Sequence, residues 1–99
     1  MVNQPRQSDY TKQFKKDWKR LERSGRYDMA KLKKVMLLLI ANDGPLGSEW
    51  KDHDLTGGWQ HHRECHIGGD FLLIYQLTDR GKEDFVTFVR TGTHSELFG

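Results

Sequence analysis

Two helix-period segments followed by three strand-period runs predict an α+β domain, with two N-terminal helices packed on a small antiparallel sheet of three or more strands. Three observations carry this. Tyr10, Phe14, Trp18 and Leu21 recur at spacings of four, four and three, one stripe of a 3.6-residue helix. Met29, Leu32, Val35, Met36, Leu39 and Ile40 repeat the pattern after a break. Beyond Gly58 the apolar residues instead fall in short runs bounded by glycine and aspartate, as strands do.

The first helix is expected over Tyr10–Arg23, stopped by Ser24-Gly25, because glycine readily takes the left-handed turn that ends a helix. The second starts at Asp28, a side chain suited to capping free backbone N–H groups, and stops at Asn42-Asp43-Gly44-Pro45. A loop from Pro45 to about Gly58 follows. Strands are then expected at Trp59–Ile67, Phe71–Leu77 and Glu83–Thr91, joined by Gly68-Gly69-Asp70 and by Thr78-Asp79-Arg80-Gly81. Connections this short make an antiparallel meander. The helical pair covers one face of that sheet, leaving the other open.

With 99 residues, 30% of them charged, the chain reads as one domain, 1–99. Its longest apolar run, Val35–Ala41, is far too short to span a membrane, and the charged first 25 residues exclude a secretory signal. Cys65 is the single cysteine, which fits a reducing, cytoplasmic setting. The net charge of +2 conceals an asymmetry: residues 1–34 carry eleven Lys or Arg against four Asp or Glu, and the remainder five against ten. A basic first half suits a polyanionic partner.

Four of the five histidines lie between His53 and His66, and histidine is the side chain that exchanges protons near neutral pH. A zinc site over His61, His62, Cys65 and His66 is disfavoured, because strand alternation sends these residues to opposite faces. No nucleophile elbow, phosphate-binding loop or dinucleotide fingerprint is present. Acid/base chemistry on a substrate that brings its own nucleophile remains. RNA does so through its 2′-hydroxyl, given a base, an acid and a cation for the phosphorane charge. Arg90 at a strand end supplies the cation, and Phe98 near the terminus offers a ring on which a base can stack.

Lys51-Asp52-His53, Leu55, Gly57 to Trp59, Arg63-Glu64-Cys65-His66, Asp70 to Tyr75, and Arg90-Thr91-Gly92-Thr93-His94 with Leu97-Phe98-Gly99 form an ordered set that resembles the YafQ branch of the RelE/ParE toxin superfamily. The resemblance runs from about Tyr10 to Gly99. It implies a RelE-like microbial ribonuclease fold and a bacterial toxin of a type II toxin–antitoxin pair. It further implies cleavage of mRNA in the A site of the 70S ribosome, at adenine-rich codons, without metal or other cofactor, leaving a 2′,3′-cyclic phosphate and a 5′-hydroxyl. The implied partners are a cognate antitoxin of the DinJ type, in a hetero-oligomer, with ribosomal RNA and mRNA. The implied functional positions are His53, His66, Asp70, Arg90, His94 and Phe98. On this reading His94, on a flexible tail, is the general acid and His53 or His66 the base, in roles that could be exchanged. Asp70 orients a histidine or the substrate. Lys12, Lys15, Lys16, Lys19, Arg20 and Arg23 would grip ribosomal phosphates without regard to sequence. Residues 1–8 match no part of the pattern and are expected to fray, and Gly68-Gly69 loosens the turn before Asp70. The alternative is a non-enzymatic, ParE-like binding module of the same fold.

Overall fold

The computed structural model describes residues 4–80 and 83–99. It contains strand β1 (Gln7–Tyr10), helices α1 (Lys12–Ser24) and α2 (Met29–Ala41), strands β2 (His53–Asp54), β3 (Arg63–Gly68), β4 (Phe71–Arg80) and β5 (Glu83–Gly92), and helix α3 (His94–Phe98). All five strands join one sheet in the order β1-β5-β4-β3-β2. The three expected strands form the antiparallel meander, with β2 added antiparallel at one edge and β1 parallel at the other. The sheet is therefore mixed.

The helical hairpin forms, although α1 starts at Lys12 and not at Tyr10, which lies in β1 and pairs with Phe88. Thr11 caps α1, its hydroxyl accepting the Phe14 N–H at 2.9 Å, and Gly25 closes it in the left-handed region at φ 67°. Asp28 caps α2 through the Lys31 N–H at 2.9 Å, and Asn42 ends it at φ 57°. Phe14, Leu21, Leu32, Val35 and Leu39 pack on Cys65, Ile67, Phe71, Leu73, Tyr75, Val86 and Phe88 of the sheet. Burying each of the larger side chains contributes roughly 1.5–3 kcal/mol.

Three local expectations change. Gln7 and Ser8 are paired in β1 rather than frayed; Met1–Asn3 lie outside the described residues. All four β1 residues are exposed, so no apolar alternation announced the strand. Gly57–Trp59 forms a 3₁₀ turn, and β3 begins only at Arg63. Four residues of the expected first strand, Trp59–His62, therefore belong to the connection, with His61 left-handed at φ 72°. Thr78 to Arg80 continue β4, while Gly81 of the expected turn lies outside the described residues.

The face away from the hairpin is not bare. Leu72 and Ile74 are buried under Leu97 of α3, with Leu55, Trp59 and Val89 around them. This second cluster docks α3 on the sheet, so the C-terminal segment is a helix instead of a flexible tail. A capping box fixes its start: the Thr93 hydroxyl accepts the Glu96 N–H, and the Glu96 carboxylate accepts the Thr93 N–H. Among the described residues no helix is long and apolar enough to cross a membrane.

Candidate active site

The register builds the site on the α3 side of the sheet. Glu64 and His66, two apart on β3, share a face, and they stand opposite Ile74 and Leu72 of β4. His53 of β2 pairs with Glu64 from the other side. That two-residue strand is held by ion pairs: Arg63 donates to Asp52 at 2.7 Å and to Asp54 at 2.5 Å, and the Tyr75 hydroxyl donates to Asp52. Burial and the Asp52 carboxylate push the Tyr75 hydroxyl well above its ordinary value. Gly92, the last residue of β5, faces Leu72, so α3 begins beside His66.

Three imidazoles converge on one carboxylate oxygen. Glu64 is only 3% exposed. Its Oε1 lies 3.2 Å from His66 Nε2, 3.9 Å from His53 Nε2 and 4.0 Å from His94 Nε2. The rings form a row with centroids 6.1 Å apart for His53 and His66, 6.0 Å for His66 and His94, and 6.0 Å for His94 and Phe98. Trp59 extends that row, meeting Phe98 edge to face at 5.8 Å. Phe98 remains 40% exposed.

Hydrogen bonds set the orientation of two of the rings. Asp70 Oδ1 accepts both the backbone N–H of His94 at 3.0 Å and its Nδ1–H at 2.5 Å. The two bonds to His94, the backbone one foremost, hold the Asp70 carboxyl below the usual range. His53 Nδ1 lies 2.8 Å from the Lys51 carbonyl, which can only accept. Nδ1 is thus the protonated nitrogen in both rings, and Nε2 of each faces the site.

Arg90 stands apart from these groups. It belongs to the same cross-strand row, His53, Glu64, Ile74, Arg90, but its guanidinium is bound by Asp17 of α1 at 2.8 and 3.2 Å. Those bonds raise its already high pKa further. On α1, Lys12, Lys15, Lys16, Lys19 and Arg23 are exposed and form no ion pair among the described residues. Arg20 differs: it pairs with Asp17 at 2.9 Å and Glu96 at 3.0 Å, so it serves an internal contact more than the phosphate grip expected of it.

Glu64 and Asp17 were not singled out from the sequence. Their signals existed: Glu64 is two residues from His66 on a strand, and Asp17 falls within the apolar stripe between Phe14 and Leu21. Cys65 points into the helix-side core, and burial pushes its thiol far up, so it is neither nucleophile nor ligand. The donor set able to hold a metal among the described residues is His53, Glu64 and His66, with ligand atoms within 4.8 Å of one another. Two imidazoles and a carboxylate suit a divalent transition ion.

Known proteins match this chain in sequence and in fold. Residues 6–99 match the family described as bacterial toxin of type II toxin-antitoxin system, YafQ. The chain is 46% identical over 94 residues to the mRNA interferase toxin YafQ of Escherichia coli (strain K12), covering 95% of this chain and 97% of that one. The crystal structure of the E. coli DinJ-YafQ complex superposes with a TM-score of 0.82 at 46% identity, over 95% of this chain and 99% of that chain. The crystal structure of a metal-bound toxin from Helicobacter pylori superposes at 0.78 with 40% identity, over 99% and 100%. Sequence and fold agree, and the chain belongs to the YafQ family of toxins of type II toxin–antitoxin systems.

Proposed function

We propose that this chain is an mRNA interferase toxin, an endoribonuclease that cuts mRNA in the ribosomal A site in the cytoplasm and is neutralised by a DinJ-type antitoxin in a hetero-oligomer. The observation that carries the reading is the convergence of His53, His66 and His94 on Glu64, with Asp70 fixing the His94 tautomer. A purely binding, ParE-like module has no use for that construction.

His53 is the general base. With Nδ1 against the Lys51 carbonyl, its Nε2 takes the proton of the 2′-hydroxyl. The 2′-oxygen attacks the adjacent phosphorus, the bond to the 5′-oxygen breaks, and protonated His94 gives its Nε2 proton to the leaving oxygen. The products are a 2′,3′-cyclic phosphate and a 5′-hydroxyl, with no water consumed. Both working nitrogens lie near one Glu64 oxygen, at 3.9 and 4.0 Å, and both side chains are about half exposed, at 51% and 54%, so a phosphate can reach them from the solvent side. His66, at 3.2 Å from the same oxygen, holds Glu64 between them. Arg90 contacts the phosphate, Phe98 stacks on a base, and the α1 lysines dock the protein on ribosomal RNA. Catalysis needs no metal. A transition ion on His53, Glu64 and His66 would occupy the His53 nitrogen that must take up the 2′-hydroxyl proton, and so would inhibit.

The testing experiment is cleavage on programmed 70S ribosomes carrying an adenine-rich codon in the A site, with the product ends mapped. A cut within that codon leaving a cyclic phosphate, absent without ribosomes, is the expected result. Ribosome binding with no cut on any of several codons would sink the reading.

A further inference from the structure

Asp17 has no exposed surface, and no step of the cleavage above uses it. A carboxylate buried on the core-facing stripe of a helix is costly unless its lone pairs are filled. They are filled from two elements, α1 and β5. Oδ2 accepts Arg90 Nε at 2.8 Å and the Thr91 N–H at 3.2 Å. Oδ1 accepts Arg20 Nη1 at 2.9 Å, Arg90 Nη2 at 3.2 Å and Gln13 Nε2 at 3.4 Å.

The place where this happens is specific. β1 covers the outer edge of β5 only as far as Phe88. Beyond it the Thr11 N–H reaches the Phe88 carbonyl at 3.1 Å and the Thr11 hydroxyl the Val89 carbonyl at 2.7 Å. Asp17 then takes the Thr91 N–H. Tyr75 pairs with Phe88 but Ile74 with Arg90, so Val89 is the extra residue of a β-bulge, a device that re-aims the side chain beside it. The bulge turns Arg90, and Asp17 clamps its Nε and Nη2 in one plane, leaving Nη1 outside the clamp. Arg20 carries the chain of ion pairs onward to Glu96 Oε2 at 3.0 Å, while Glu96 Oε1 accepts the N–H of Thr93, the cap of α3, at 2.9 Å.

We propose that Asp17 is a positioning residue for the cleavage reaction: it fixes the Arg90 guanidinium for the scissile phosphate and, through Arg20 and Glu96, fixes the first turn of the helix that carries His94. The basic helix and the groups that cut then move as one body. This rests on the nuclease reading. A merely structural role would need the buried charge satisfied, but would not need the arginine meeting the substrate to be the residue that satisfies it.

The test is a double-mutant cycle on programmed ribosomes. Asp17→Asn puts a donor where Arg90 also donates, and kcat is expected to fall on the order of 10²-fold, with KM and ribosome affinity nearly unchanged because the lysines are intact. In an Arg90→Gln background the same substitution should cost much less, since the share of its effect carried by Arg90 is already gone and only the route through Arg20 and Glu96 remains; equal losses in both backgrounds would overturn the proposal. The Arg90 Nε–H resonance, protected from exchange in the wild type, should lose that protection in Asp17→Asn, and a resonance that stays protected would also overturn it. If Asp17→Asn does not fold, Glu96→Gln keeps the cap on Thr93 and loses the Arg20 ion pair. It should lower kcat several-fold at constant KM, whereas an unchanged kcat counts against the link to α3. A wild-type chain that cuts no codon would be a failure of the nuclease reading instead, and the Arg90 resonance would still decide whether Asp17 holds the guanidinium.

Discussion

One oxygen of Asp70 holds His94 twice, accepting its backbone N–H at 3.0 Å and its Nδ1–H at 2.5 Å. A turn residue thus anchors the first residue of α3 and leaves His94 Nε2 on the side of Glu64. His94→Ala should abolish cleavage, a loss on the order of 10²–10⁴-fold. Asp70→Asn leaves an amide that can still accept the backbone bond but not hold an imidazolium, so its kcat should fall less steeply than that of His94→Ala. Rates measured side by side on programmed ribosomes check the ordering. An Asp70→Asn protein cutting at the wild-type rate would show that the tautomer needs no fixing.

Glu64 is the buried centre of the histidine cluster. Glu64→Gln keeps its volume and removes the charge that three imidazoles share. The expected outcome is a folded protein that still binds antitoxin and cuts on the order of tenfold or more slowly, in the range seen when a supporting partner of a working histidine is lost. Circular dichroism, antitoxin pull-down and the cleavage assay separate the three properties. Loss of antitoxin binding along with activity would mean that Glu64 maintains the fold.

Particular residues explain what the sequence could reveal. The helical hairpin and the meander follow from apolar period and turn chemistry, which are local properties, and His53, His66, Asp70 and His94 do meet at one site. Glu64 was missed because a charged residue on a strand reads as a solvent position unless the face it shares with His66 is known to be covered. The covering is done by α3, whose docking rests on Leu97 reaching Leu72 and Ile74, contacts distant in sequence. β1 was missed for a related reason: its order comes from backbone pairing to β5, not from its own exposed side chains. Arg90 reads from the sequence as a cation for the phosphate, and its ion pair with Asp17 could not be foreseen because the two lie 73 residues apart.

The exposed basic face of α1 should act in docking alone. Reversing the charges of Lys15, Lys16 and Lys19 should weaken ribosome association and flatten its dependence on salt, because fewer counterions are released. Codon choice should not change, since those side chains lie on α1 and not among the imidazoles. Binding across a salt series, with cleavage sites mapped at saturating protein, tests both halves. A shifted codon preference would contradict the division.

Copper(II) or zinc(II) added to the cleavage assay should slow it by occupying the nitrogens and the oxygen of His53, Glu64 and His66, whose ligand atoms lie within 4.8 Å of one another. A chelator selective for transition ions, which leaves ribosomal magnesium in place, should restore the rate without affecting ion-free reactions. Stimulation by either ion would point to metal-assisted chemistry and against proton transfer by His53.

Acid stability should report on Asp17 independently of catalysis. Burial alone would raise its pKa, but the Arg90, Arg20 and Thr91 hydrogen bonds outweigh that, and the folded carboxyl lies below its ordinary value of 3.8. A group whose pKa is depressed by folding binds more protons in the unfolded chain, so stability rises with pH through that region. Its contribution is complete above the unfolded value, near 3.8, and drains away as pH falls through the folded one. Urea midpoints measured across the acid range should therefore decline more gently for Asp17→Asn, whose side chain cannot titrate, than for the wild type. The variant's midpoint near neutral pH should be lower, because the amide cannot replace a carboxylate facing two guanidinium groups. Parallel acid limbs would mean that Asp17 carries the same proton affinity folded and unfolded, and that the pairing with Arg90 adds nothing in water-excluded surroundings.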